Sequence, residues 1–145
     1  ATGWQARIAR QERARADHDI AKYQRLIGRF PDTKAAEEGR DELAVLLLAE
    51  AEKALKDGDF STAAARADEA RVYAGVDNTD KAYAIAKKVD EGRAKKVAEK
   101  ALAEAADGRC ASALKMILDW CNSIIAKMFQ GRCRCRWTEW WSSCL

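Results

Sequence analysis

The 145-residue chain is predicted to be all-α, a stack of antiparallel helical hairpins (an α-solenoid) of about five helices. Three observations predict this. The first is composition: 30 alanines, one proline and only 17 valines, isoleucines and threonines. Alanine is the best helix former, and β-branched residues favour strands, so a β-sandwich, a barrel and a doubly wound sheet are disfavoured. The second is apolar spacing with a helical period. The third is an ordered set of caps and Asp-Gly turns that occurs twice. At 48% apolar and 34% charged residues the chain has enough apolar side chains to fold. Its length allows one domain with a real core.

The first helix is expected over residues 5–30. Ile8, Ile20, Tyr23, Leu26, Ile27 and Phe30 supply apolar positions, with helical spacing in the second half. The first half is Arg-rich, and Arg7, Arg10 and Arg13, three apart, are expected to share a face. Pro31 ends the helix. Asp32 and Thr33 offer an N-cap side chain for a second helix from about Lys34 to Asp57, with Leu43, Leu46, Leu47, Ala51, Ala54 and Leu55 on its apolar face. Gly58-Asp59 makes a turn. Phe60 opens a third helix to about Ala74, with Ser61 or Thr62 near its cap, and Gly75 fits a left-handed cap at its end. Asn78 and Thr79 are expected to cap a fourth helix reaching Asp107, with Gly92 inside it as a candidate bend. Gly108 breaks it, and a fifth helix follows from about Cys110 to Phe129. The expected organisation is thus a leading helix (5–30), hairpins over 34–74 and 79–129 in a single domain of residues 1–131, and a tail of residues 132–145.

The hairpins echo one another. Ala51-Glu52-Lys53-Ala54-Leu55 recurs as Ala98-Glu99-Lys100-Ala101-Leu102, Asp57-Gly58 as Asp107-Gly108, and Ala63 as Ala113. A period of this size points to stacked helical hairpins. Small side chains at Ala51, Ala63, Ala70 and Ala113 are the expected crossing points, because they let helix axes approach to about 8 Å. One hairpin cannot bury its own face, so neighbours must stack.

The stretch Leu47–Gly75 resembles a tetratricopeptide repeat. It has small residues at Ala51, Ala63 and Ala70 and the Gly-Asp-aromatic turn Gly58-Asp59-Phe60. The preceding Tyr23-Gln24-Arg25-Leu26-Ile27-Gly28-Arg29-Phe30-Pro31-Asp32-Thr33 looks like the closing helix of an earlier repeat. The likeness covers residues 17–75 well and 79–129 loosely. It departs from the family in lacking the Trp-Leu-Gly-Tyr opening, in placing Glu50 at a usually apolar position and in its longer period. The phrasing is similar to tetratricopeptide proteins of bacterial envelopes. The resemblance implies protein or peptide binding on a concave face, with no groove residues to carry over, and a bacterial periplasm or envelope location over the cytoplasm.

Several function classes are disfavoured. His18 is the one histidine, so a catalytic triad or a His-based metal site has to pass through it. Its expected place is half-exposed on the first helix. Neither GxxxxGK[ST] nor GxGxxG occurs. No CxxC pair or CxxCH haem motif is present, and there is no uncharged apolar run of about 18 residues to span a membrane. No catalytic, metal or cofactor site is therefore expected.

The net charge of +3 hides a segregation. Residues 1–31 carry seven basic and three acidic groups, residues 32–108 thirteen and eighteen, and residues 109–145 six and two. The basic ends make membrane-surface or nucleic-acid binding the alternative function, with nucleic acid the less favoured because Trp4 is the only aromatic beside the first arginines. The C-terminal end is the other unusual feature. Trp120, Met128, Phe129, Arg132, Arg134, Arg136, Trp137, Trp140 and Trp141 form a candidate partner-binding set, since Trp and Arg anchor interfaces. Two other readings stand beside it: the tail folds over a closing helix, or its Arg-Trp alternation sits at a membrane interface. Cys110 and Cys121 are about 16 Å apart on one helix, too far to bond each other. Disulfides among Cys121, Cys133, Cys135 and Cys144 fit an oxidising compartment, and reduced thiols are the alternative. The expected activity is non-catalytic: a scaffold or adaptor for a protein partner or for a second copy of the chain, as an accessory subunit of a larger, membrane-associated assembly.

Overall fold

A computed structural model describes residues 2–127, in which six helices and no strand occur. They are α1 (Gly3–Ala14), α2 (Ile20–Arg29), α3 (Lys34–Lys56), α4 (Phe60–Tyr73), α5 (Val76–Ala106) and α6 (Cys110–Lys127). The all-α expectation holds. The expected count of five does not, because the leading helix is two. At Asp17 and His18 the backbone turns left-handed, with φ of 39° and 61°. The Asp19 side chain then accepts from the Lys22 N–H and starts α2. Asp at such a position and Asp at an N-cap are both favoured for short polar side chains. Fully buried Ala16 anchors the turn on the core. His18 is consequently an exposed turn residue, not a half-exposed helical one.

The chain divides into two compact units, residues up to Asp90 and residues from Glu91 on. The division falls inside α5, one residue before Gly92. The expected domain boundary after residue 131 lies outside the described residues.

The first unit is centred on α3, which packs against α1, α2 and α4; α1 also packs on α2. Thr33 caps α3 and is itself buried: its hydroxyl donates to the Phe30 carbonyl (2.9 Å) and accepts from the Ala36 N–H (3.2 Å), so both capacities are used. Gly39 sits where α2 crosses α3. A Cβ there would lie 3.1 Å from a Leu26 methyl and 3.5 Å from the Tyr23 ring. The core combines a few large side chains, of which Leu26, Leu43, Leu47 and Val89 are fully buried, with many alanines. Ala51, Ala63 and Ala70 are all completely buried in it. Ala82, Ile85 and Val89, at helical spacing, bring the first half of α5 into the same core.

The cap of α4 is Asp59, whose side chain accepts from the Thr62 N–H at 3.0 Å, and not Ser61 or Thr62; the α4–α5 junction also differs from the expected one. Gly75 is not left-handed; Ala74 is extended (φ −74°, ψ 138°) and α5 begins at Val76. Asn78 and Thr79 therefore lie inside the helix instead of capping it. The Thr79 N–H and hydroxyl both donate to the Gly75 carbonyl, each at 3.0 Å.

In the second unit α5 continues unbroken through Gly92 to Ala106, and the turn Asp107-Gly108 leads to α6. Ala101, Ala113 and Cys121 are buried there. The turn has the same hydrogen bonds as Asp57-Gly58 in the first unit. Gly58 N–H donates to Leu55 and Asp59 N–H to Ala54; Gly108 N–H donates to Ala105 and Arg109 N–H to Glu104. Both glycines are left-handed, at φ 75° and 77°. This is the Schellman arrangement that satisfies the last carbonyls of a helix. A Cβ on Gly108 would meet nothing within 4 Å. Gly108→Ala should therefore destabilise the turn by its backbone strain alone, about 1 kcal/mol. Thermal unfolding monitored by circular dichroism measures it, and an unchanged midpoint would contradict the assigned strain.

Candidate functional site

The residues singled out from the sequence fall mostly beyond the described part of the chain. Met128, Phe129, Arg132, Arg134, Arg136, Trp137, Trp140 and Trp141 lie outside it, as do Cys133, Cys135 and Cys144. Trp120 is described: it lies half-buried on α6, next to buried Cys121, with Met116 and Ile117 also half-buried. Cys110 is half-buried at the start of the helix. Lys115, Leu118, Asp119 and Asn122 form the outward side. Ala113 is buried, on the inward side.

The structure brings together a charged cluster that the sequence reading missed. Arg13, at the end of α1, donates from Nη2 to Glu42 Oε1 (2.7 Å) and from Nε to Glu42 Oε2 (3.3 Å), and Nη1 pairs with Glu38. Both carboxylates stand on α3, one turn apart. The phenol of buried Tyr23 on α2 also acts on Glu42. Lys34 lies 3.8 Å from Glu38 on its outer side. A second pair, Arg29–Glu12 at 2.8 Å, ties α2 to α1. The hydrogen bond from Arg13 holds the Glu42 carboxyl below the usual carboxylate range, against a smaller opposing effect of burial, with Tyr23 assisting. Burial pushes the Tyr23 phenol up first, and the neighbouring Glu42 carboxylate adds to this.

The expected stripe of Arg7, Arg10 and Arg13 is thereby divided. Arg13 turns inward to α3, while Arg7 and Arg10 stay exposed. The signal available in the sequence was Glu38 and Glu42, an i,i+4 acidic pair facing an Arg-rich segment.

A lowered carboxyl pKa stabilises the fold above the unfolded value, near 4.3, and that contribution disappears as pH falls through the lower folded value. The Glu42 side chain is 39% exposed, so solvent screens the pair and its contribution is on the order of 1 kcal/mol. Glu42→Gln should therefore be about 1 kcal/mol less stable at pH 7 and indistinguishable from the parent chain near pH 2. Urea unfolding at the two pH values checks it; a difference that persists in acid would assign the effect to packing.

Among the described residues no group of three His, Cys, Asp or Glu side chains could hold a metal ion, and no helix is long and apolar enough to cross a membrane. His18 is exposed in its turn. What the described surface offers is charge, a half-buried aromatic on α6 and exposed apolar side chains at Trp4, Val45, Val72 and Tyr83. Tyr83 carries the Arg71 guanidinium 4.4 Å from its ring centroid and accepts a hydrogen bond from it at 2.9 Å. No protein-family model, curated protein or solved structure matches the chain.

Proposed function

We propose that the chain is a non-catalytic scaffold of stacked helical hairpins, tetratricopeptide-like in arrangement, that holds a protein partner. The observation that carries the reading is the position of α3. It packs on both helices that precede it and on the one that follows, which is how an incoming hairpin stacks on the previous one in a helical repeat. The α3–α4 and α5–α6 connections close with the same turn, fifty residues apart. This supports a repeated unit, and the recurrence of Ala63 as buried Ala113 fits it.

The reading places the partner anchor at the C-terminal end, where half-buried Trp120 precedes the Arg- and Trp-rich segment. Affinity capture with the full chain and with a chain ending at residue 130 tests this placement. Partners lost with the tail support it. Unchanged partners confine the binding surface to the helices, and a full chain that captures nothing overturns the scaffold reading.

A further inference from the structure

We infer that the outward face of α1 is a contact site for an anionic membrane surface. Inward, α1 presents buried Ala9, with half-buried Glu12 and Arg13 engaged by α2 and α3. Outward lie Trp4, Arg7, Arg10, Gln11 and Ala14, followed by Arg15 at the C-cap, all exposed. Within α1 this face contains no acidic residue, and exposed Asp17 follows Arg15 in the turn. Trp4 is 61% exposed.

The state of the three arginines is the informative point. Arg29, Arg66, Arg71 and Arg109 each sit against a carboxylate, and so does inward-facing Arg13, whereas Arg25 on α2 and Arg40 on α3 do not. Among the described residues, Arg7, Arg10 and Arg15 form no such ion pair; the Nε of Arg10 bonds only the Ala6 carbonyl of its own helix. Three uncompensated guanidiniums therefore share about 16 Å of helix with an exposed indole. A guanidinium pairs two-pronged with phosphate, and an indole with an apolar body and one N–H donor suits the headgroup layer of a bilayer. Arg10 and Arg15, five residues apart, flank Arg7 and Trp4 on a wide exposed arc of α1, and a flat bilayer surface can meet the whole arc where a narrow groove would reach only part of it. A single-stranded nucleic acid would call for successive aromatic platforms, and α1 has one. The inference stands independently of the scaffold reading, because it uses no C-terminal residue.

The test is sedimentation of the full chain with vesicles of phosphatidylcholine containing phosphatidylserine, set against pure phosphatidylcholine. The parent chain should partition onto the acidic vesicles and lose binding as salt rises. Each basic side chain near an anionic surface contributes a factor of about five, so Arg7→Gln, Arg10→Gln and Arg15→Gln combined should weaken partitioning roughly a hundredfold. The same change at Arg132, Arg134 and Arg136 should leave the α1 contribution in place. Trp4→Ala, a second variant that touches no charge, should weaken binding severalfold, and thermal unfolding shows whether each variant is folded. The inference is overturned if the α1 variants bind like the parent chain, if neutral vesicles bind equally, or if a DNA duplex displaces the vesicles at equal phosphate concentration.

Discussion

Leu47→Ala should destabilise the first unit by about 2–5 kcal/mol, the range for emptying a buried leucine site that only partly collapses. Leu47 is fully buried on α3, the helix that α1, α2 and α4 all pack against. Much of the surrounding core is alanine, and each buried alanine removes about one methyl group from water where a leucine removes four carbons. A large share of the hydrophobic stabilisation therefore rests on the few large buried side chains, Leu26, Leu43, Leu47 and Val89 among them. Domain stabilities are about 5–15 kcal/mol in total, so this one change should bring the unit close to unfolding at room temperature. Val45→Ala on the same helix, half-exposed, should shift stability by less than about 0.5 kcal/mol. Urea unfolding of both variants tests the contrast. Equal midpoints would mean that α3 does not organise the core.

The part of this that was legible in the sequence is the part set by local chemistry. Thr33 as a cap, the ends of α3, the opening of α4 at Phe60 and both Asp-Gly turns follow from residues whose preferences need no partner. The missed features depend on tertiary contacts. Ala14-Arg15-Ala16-Asp17-His18 contains no glycine or proline, so nothing in it announces a break. The break is fixed by burying Ala16 and by the Asp19 cap. The arginine stripe failed for a geometric reason. Steps of three residues drift around a helix of 100° per residue, so Arg7 and Arg13 differ by about 120°. That drift carries Arg13 from the solvent side to the Glu38–Glu42 side of α3 and leaves Arg7 outside. The outward arginine face and the inward ion-pair cluster are thus two consequences of one periodicity. Gly75 shows the opposite case, a residue with a strong capping preference that the local path does not use, because Ala74 already ends α4 in an extended conformation.

Ala63→Leu should cost about 1–3 kcal/mol, although leucine is nearly as good a helix former as alanine. Ala63 is completely buried where α4 lies against α3, in a core cluster with Ala51, Ala54, Ala67 and Ala70. Small side chains on both helices permit a close approach of the axes, about 8 Å. Three further heavy atoms cannot enter such an interface in a relaxed rotamer, so the helices must separate or the side chain must strain. Ala65→Leu provides the matched control. It lies on the same helix, two residues on, and is exposed, so its effect should stay within about 0.5 kcal/mol. The pair separates propensity from packing, since both substitutions make the same chemical change in the same helix. Equal stabilities in urea unfolding would show that the alanines are present only as helix formers. A loss confined to Ala63→Leu assigns them to the crossing of α4 with α3.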